Sequence, residues 1–459
     1  MSKDLSSEDG PISTATAQFI AEAQTRTYDD DIIDRAKRCL VDWTGVGIGA
    51  HDQPLADVMP NAAAVLGSTG RSPVIMGGMV SPTSAALING ALSHALDFDD
   101  THPDALGHIS GPTWAAVLAL ATDRGASETE ALNAFITGFE VAGALFGPGM
   151  GPTLQRRGFH PTSVFGRFAA MAASSVLLKL NEEQAANAIG LIATMAGGLI
   201  ASNGTMSKPF HAGIGAMNGI LAAQLAASGF EARTGLLDAS NGLAPTFIQD
   251  GETTFPNPPN FTAGGQLRRN AFKPYACCKG THPTLDAARE IYADLNQRPI
   301  EAITLQVNEM HARIANKRQP VTPLDAKFSV AYCAAIGLNG YDGMPGDFSS
   351  EHITNDNVKD LESRVTVTPD DNIGKHQVLM TIKLKDGEEL IKKVEEARGN
   401  PDNPFSWSDL ETKFKALTKP VLKDNADGLL ATIKSFEQPG QLQQFTNFVC
   451  TAPAAQAAE

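Results

Sequence analysis

The sequence predicts a mainly α protein with an α+β second domain, and three observations carry the prediction. Up to about residue 247, segments rich in Ala, Leu and Met follow one another behind helix-start signals. Residues 251–266, GETTFPNPPNFTAGGQ, then break the pattern with the Pro, Gly, Thr and Asn content of a linker. Beyond the linker, runs alternate with period two before helical patterns return over residues 407–448. A chain of 459 residues exceeds one simple core, so two domains are expected. Their boundaries are placed at 11–266 for the helical domain, 267–402 for the α+β domain and 403–450 for a return to the helical one.

In chain order, residues 1–10 read as disordered, and helices are expected at 12–24 and 30–44, where Gly45, Gly47 and Gly49 loosen the pattern. Further helices are expected at 113–122, 130–146, 164–180 and 184–200. Ser127 with Glu130 makes a capping box, and Asn181 precedes Glu182 and Glu183 as a cap. Nothing in this part alternates like a sheet. After the linker, residues 300–307, 363–368 and 377–384 alternate as strands. The last leads through Asp386-Gly387 into 388–394, a strong hairpin signal. Helices at 284–295 and 327–337 lie among the strands, and the tail 452–459 reads as loose.

Composition bounds the function. Hydrophobic residues at 42% and charged ones at 19% describe a soluble globular chain. Five cysteines, few and odd in number, argue for reduced thiols. The acidic, polar start MSKDLSSEDG lacks the features of a targeting signal, so a cytoplasmic location is expected. No apolar stretch reaches the roughly 18 residues of a membrane span. A net charge of −15 argues against nucleic acid as a partner. That average hides a change of sign, because residues 141–285 hold ten Lys or Arg against six Asp or Glu, a balance of +4 that leaves −19 on the rest. Residues 253–285 contain no acid but carry Arg268, Arg269, Lys273 and Lys279. Solvated charges would explain this run; so would a site for an anionic small molecule.

Residues 82–114, PTSAALINGALSHALDFDDTHPDALGHISGPTW, hold the densest chemistry. Helical spacing puts Ile88, Leu92, Ala95 and Leu96 on one face and Gly90, Ser93, His94 and Asp97 on the opposite one. Pro103 then ends the period, and a polar loop runs on to about His108. Carboxylates beside imidazoles are what proton transfer needs, since histidine titrates near neutrality and an adjacent Asp orients it. A helix end whose Asp and His groups only cap would leave the same pattern. Asp and His are also metal ligands, but no regular ligand spacing such as HExxH or paired CxxC appears, and no metal is expected.

Three further stretches carry chemistry. In RRGFHPT, residues 156–162, His160 precedes a proline and a helix start. In GTMSKPFHAGIGAMNG, residues 204–219, Lys208 and His211 approach a glycine-dotted helix, where the ammonium can bind a carboxylate. Its glycines depart from the dinucleotide fingerprint and read as helix-packing positions. In KPYACCKGTHPTLDA, residues 273–287, His282 at a helix start is a better catalytic candidate than the Cys277-Cys278 pair, which lacks a second ligand pair for zinc.

Taken together and in this order, HALDFDDTH, GFHPT, GTMSKPFHAG and KPYACCKGTHPTLDA resemble the MmgE/PrpD family, which contains 2-methylcitrate dehydratases, cis-aconitate decarboxylases and an iminodisuccinate epimerase. The resemblance spans residues 12–448. It implies a large helical domain formed by both chain ends, a smaller α+β lid, a homodimer, and cofactor-free chemistry on small polycarboxylates at the domain interface. Carried over residue by residue, the family's pocket falls on Asp97, Thr101, His108, His160, Lys208, His282 and, in AKFSVAYCAA, Tyr332. The loop HPDALGHIS differs in length from the shortest family versions, so His102 competes with His108. The cysteine doublet resembles the decarboxylase-like and uncharacterised branches more than the dehydratases.

The shared chemical problem is a carbanion next to a carboxylate, which needs an acid or base at carbon and cations or donors at the carboxylate oxygens. The expected catalytic residues are His108, oriented by Asp97, with His160 or His282 as partner and Lys208. Thr101, Tyr332, Lys273 and His102 are the expected substrate-binding residues. The leading expectation is a cofactor-independent lyase acting on a di- or tricarboxylate by dehydration or decarboxylation. An epimerase of an iminodisuccinate-like substrate and a non-enzymatic carboxylate-binding protein are the alternatives.

Overall fold

The computed structural model describes residues 10–450. The disorder expected before residue 10 and the loose 452–459 tail lie outside the described residues. The described chain divides into two units, one running up to Ala271 and resuming at Ser406, the other Phe272–Phe405. These divisions fall a few residues beyond the expected 266/267 and 402/403; at the first of them Thr101 and Ala271 exchange backbone hydrogen bonds of 2.8 and 2.9 Å. That bridge ties residues 267–271 to the helical unit.

The first unit is helical because its segments are apolar on more than one face. Every residue of the Pro161–Leu177 helix is buried, so this helix is central to the unit. Glu128–Phe146, Ser110–Arg124 and Ser207–Ala227 pack around it, and Pro82–His94 packs in turn against the last two. Pro82–His94 is buried on the face expected to be polar as well as on its apolar one. Gly90 explains half of that, since a Cβ there would lie 2.8 Å from the Cα of Gly213. The glycines of the Ser207–Ala227 helix thus let two backbones cross in contact, the packing role expected of them.

The expected helix over residues 30–44 runs on as Asp30–Gly49. Gly45, Gly47 and Gly49 do not loosen it. A Cβ on Gly45 would lie 3.2 Å from Phe414, and one on Gly49 would lie 2.9 Å from Leu417, so the returning Trp407–Leu422 helix fills the space they leave. Both capping signals form, Ser127 with Glu130 and Asn181 with Gln184. One expectation fails here: Ser72–Pro73 and Met79–Val80 form a short antiparallel ladder, a pair too brief to show alternation in sequence.

The second unit is built on a four-stranded sheet in the order Val365–Pro369, Ile300–Val307, Val378–Leu384, Glu389–Val394. The first pair is parallel and the other two antiparallel. A parallel pair needs a crossover, which the helices between residues 309 and 363 supply. Ile303, Leu305, Val307, Val378, Met380, Ile382 and Leu384 face a common core, and Ala287, Ala288 and Ile291 of the His282–Leu295 helix pack into it. The hairpin turns at Gly387, whose φ of +91° suits glycine.

Candidate active site

The helix that begins at Pro82 stops at His94, and the chain then enters a tight irregular turn. Asp97 takes the left-handed conformation with φ of +53°, which costs a non-glycine residue energy and needs surrounding contacts to hold it. The turn brings His94, Asp97, Asp99 and His108 together, with one ring nitrogen or carboxylate oxygen of each within 4.8 Å of those of the others.

Asp99 is the centre of this group. The Nδ1 of His94 donates to both its oxygens, at 2.9 and 3.1 Å. The Nδ1 of His108 lies 3.0 Å from its Oδ2, off the line of a hydrogen bond. On the other edge of the His108 ring, Nε2 is 3.8 Å from Asp97 Oδ1. Asp97 is held more closely by Lys208, whose ammonium is 2.7 Å from the same oxygen. The carboxylate at the Nδ1 of His108 is therefore Asp99, whereas the sequence suggested Asp97.

A second imidazole pair adjoins the first. His160 forms the N-cap of the Pro161–Leu177 helix, and its Nδ1 is 3.0 Å from the Nδ1 of His211. One of the two must donate and the other accept, so they hold opposite tautomers. The His94 and His160 rings stack with centroids 5.9 Å apart, and the His94 and His108 rings tilt at 4.5 Å. Arg167, behind this pair, donates to the carbonyls of Ser163 and Gly197.

Burial sets the charge states. It lowers the pKa of His94 to about 4 against the pull of Asp99, and it lowers His211 to about 4, helped by Arg167. His160 falls well below the usual histidine range through burial and the neighbouring His94 and Lys208. All three are neutral imidazoles at neutral pH. Burial opposes ionisation of Asp99, but His108 and His94 together hold its carboxyl well below the usual carboxylate range. With His94 neutral, its share acts through the donated N–H.

The cluster has an inside and an outside. The side chains of His94 and Asp99 are 0% and 2% exposed, whereas those of Asp97 and Lys208 are each 13% exposed. The accessible edge thus presents His108 Nε2, Asp97 and Lys208. The Asp and His spacing could suit a divalent ion, but Asp99 is already bonded to His94 and the Lys208 ammonium occupies the cation position beside Asp97.

The other expected residues have partners of their own. His102 has both ring nitrogens engaged, Nε2 with Gln266 at 3.1 Å and Nδ1 accepting from the Ala105 amide at 3.3 Å. It is fully buried and closes the loop, which separates its place from that of His108. Thr101 donates from Oγ1 to Gly107 and pairs its backbone with Ala271. Lys273, His282 and Tyr332 belong to the second unit. There His282 Nε2 meets the Cys277 carbonyl at 3.2 Å, and the Tyr332 hydroxyl donates to the Asp347 carbonyl at 2.6 Å. Arg268 and Arg269 pair with Asp31 and Asp104, so these two members of the acid-free run are engaged by acids from other segments. Cys277 meets the Thr281 hydroxyl, and none of the five cysteines is in a disulfide. No helix among the described residues is long and apolar enough to cross a membrane.

Sequence reasoning did not assign roles to His94, Asp99 or His211. Their signal was present, since His94 and Asp99 flank Asp97 and His211 follows Lys208 by one helical turn, but only the fold shows which of the polar groups converge.

A helical unit with a buried Asp–His–Lys cluster, joined in one chain to an α+β unit, defines a protein equipped for proton transfer beside an anion. Residues 14–256 match the MmgE/PrpD N-terminal domain, and residues 275–438 match the MmgE/PrpD C-terminal domain. The chain belongs to the MmgE/PrpD family. It is 29% identical to a human cis-aconitate decarboxylase over 427 residues, covering 89% of this chain and 88% of that one. The mouse cis-aconitate decarboxylase is 29% identical, covering 93% and 91% of the two chains, and that of Aspergillus terreus is 25% identical, covering 92% of each.

Proposed function

We propose that this chain is a cofactor-independent lyase that decarboxylates cis-aconitate or a closely similar tricarboxylate. One observation carries the reading: the accessible edge of a buried cluster sets a histidine, His108, beside an ammonium, Lys208, with a carboxylate, Asp99, behind the ring. Relatives that carry the name cis-aconitate decarboxylase match over about nine-tenths of both chains and favour decarboxylation over the other chemistries.

In the proposed reaction the bond between a carbon and one carboxylate breaks and carbon dioxide leaves. Its electron pair remains as a carbanion conjugated with the double bond and a second carboxylate. A proton then closes that carbanion, giving a dicarboxylic acid one carbon shorter. Lys208 binds a carboxylate and gathers the developing charge. His108 delivers the proton from Nε2, and the Asp99 carboxylate, 3.0 Å from Nδ1 on the other edge of the ring, favours the ring while it carries that proton. His160, neutral and paired with His211, supplies a further donor.

The test is incubation with cis-aconitate, 2-methylcitrate, citrate and iminodisuccinate in deuterated water, followed by NMR. Release of carbon dioxide with one deuterium at the new C–H bond is expected for cis-aconitate. Loss of water from a hydroxy acid would replace the reading with a hydro-lyase, and exchange at a stereocentre without net conversion would replace it with an epimerase. His108→Gln is expected to lower turnover by about a hundredfold or more while leaving substrate affinity within a few-fold. Affinity without turnover in the unmutated protein would indicate a binding protein.

A further inference from the structure

Beneath the cluster lies a buried ion pair that the proposed chemistry does not use. Lys413 comes from the Trp407–Leu422 helix, 315 positions along the chain from Phe98. Its ammonium is 2.6 Å from Asp42 Oδ1 and 2.6 Å from the Phe98 carbonyl oxygen, and it sits over the Phe98 ring 3.8 Å from its centroid. The other oxygen of Asp42 accepts the Asp100 backbone N–H at 2.8 Å. The two peptide groups on either side of Asp99 are therefore both held by this one pair, the carbonyl before it by Lys413 and the amide after it by Asp42. The Lys413 and Asp42 side chains are 5% and 0% exposed.

A buried ion pair rarely adds stability over an apolar pair of the same size, so its place directly under the irregular turn needs another explanation. We infer that the Asp42–Lys413 pair is a positioning device that fixes the backbone of Asp99, so that its carboxylate meets His94 and His108 at once. Asp42 and Lys413 touch no expected substrate atom and act through Asp99. The inference about structure stands by itself, and its consequence for turnover rests on the proposed function.

Either single charge removal buries an unpaired partner, so the test uses the neutral pair Asp42→Asn with Lys413→Met. Asparagine can still accept the Asp100 amide, while methionine cannot donate to the Phe98 carbonyl. The first readout is the tautomer of His94 by nitrogen-15 NMR without substrate, assigned with His94→Gln. The native protein is expected to hold the proton on Nδ1, and the neutral pair is expected to revert toward the Nε2-protonated form. With cis-aconitate, kcat is expected to fall at least tenfold with KM changed less than threefold. Asp42→Asn with Lys413→Gln, which restores a donor, is expected to recover part of the loss. An unchanged tautomer and an unchanged kcat in a folded Asn/Met protein would overturn the inference. Should neither double variant fold, hydrogen exchange in the unmutated protein decides. The Asp100 amide is expected among the slowest in residues 95–109, and fast exchange there would overturn the inference. A protein that turns over none of the panel refutes the proposed function, while the tautomer and the exchange rate still test the pair.

Discussion

Asp100 is a carboxyl group that the fold keeps protonated into the neutral range. Burial, and then the facing Asp42 carboxylate, push its pKa up to about 8, although Ser110 and Asn270 donate to one of its oxygens at 2.6 and 2.8 Å. Its folded pKa lies above the ordinary value of 3.8, so the folded state binds the extra proton. Its contribution to stability is therefore full below about pH 4 and is lost as the pH rises toward 8. Asp100→Asn mimics the protonated form and keeps an oxygen for both donors. The variant is expected to gain on the native protein by up to about 1.4 kcal/mol per pH unit between pH 4 and 8. Urea midpoints of both proteins at pH 5 and pH 8 check this, and a gap that does not widen would show that Asp100 is ionised throughout. At the same scale, the residues that sequence motifs singled out in the first unit separate by partner. Asp97, His108, His160 and Lys208 converge, whereas His102 turns to Gln266. Motif spacing could not tell His102 from His108 because both histidines lie in one short polar loop.

At the scale of elements, the cluster depends on how closely two helices cross. Pro82–His94 ends in His94, and Ser207–Ala227 carries Lys208 at its start and His211 one turn on. Their contact is backbone to backbone, since a Cβ on Gly213 would lie 2.1 Å from the Leu87 carbonyl oxygen. Gly213→Ala must push the helices apart, at a cost of about 2 kcal/mol or more. The expected result is a lower urea midpoint together with a lower kcat, because His94 and Lys208 move with their helices. Native stability and activity in this variant would show that the crossing has room to spare. In the second unit the strands were legible to within a residue or two, and the two central ones, Ile300–Val307 and Val378–Leu384, alternate buried with more open positions. The helix expected over residues 184–200 ends instead at Thr194, since apolar content alone does not mark a helix end.

For the whole molecule, the order of the chain differs from the order of its cores. Phe272–Phe405 is continuous and holds its own sheet and buried core. The unit before it takes Lys413, Phe414 and Leu417 from beyond that segment. A fragment of residues 272–405 is expected to unfold cooperatively by circular dichroism, since its core is local. A fragment ending at residue 271 is expected to stay incompletely folded and to bind a hydrophobic dye, because Asp42 and the glycine face of Asp30–Gly49 lose their partners. A cooperative transition in the second fragment would show that the returning helices are dispensable.

By itself the sequence determined the succession of helical, α+β and helical segments, the family, and the motifs that bear the acids, the bases and the lysine. These are local properties, set by periodicity, capping residues and short motifs that neighbouring positions carry together. Only the tertiary structure decided that Asp99 lies behind His108, that His211 pairs with His160, and that Lys413 and Asp42 grip the turn. Such partners are chosen by which helices cross and how closely. A lysine 371 positions from its aspartate leaves no periodic trace, because nothing along the chain connects them until the core excludes water and makes each charge require the other.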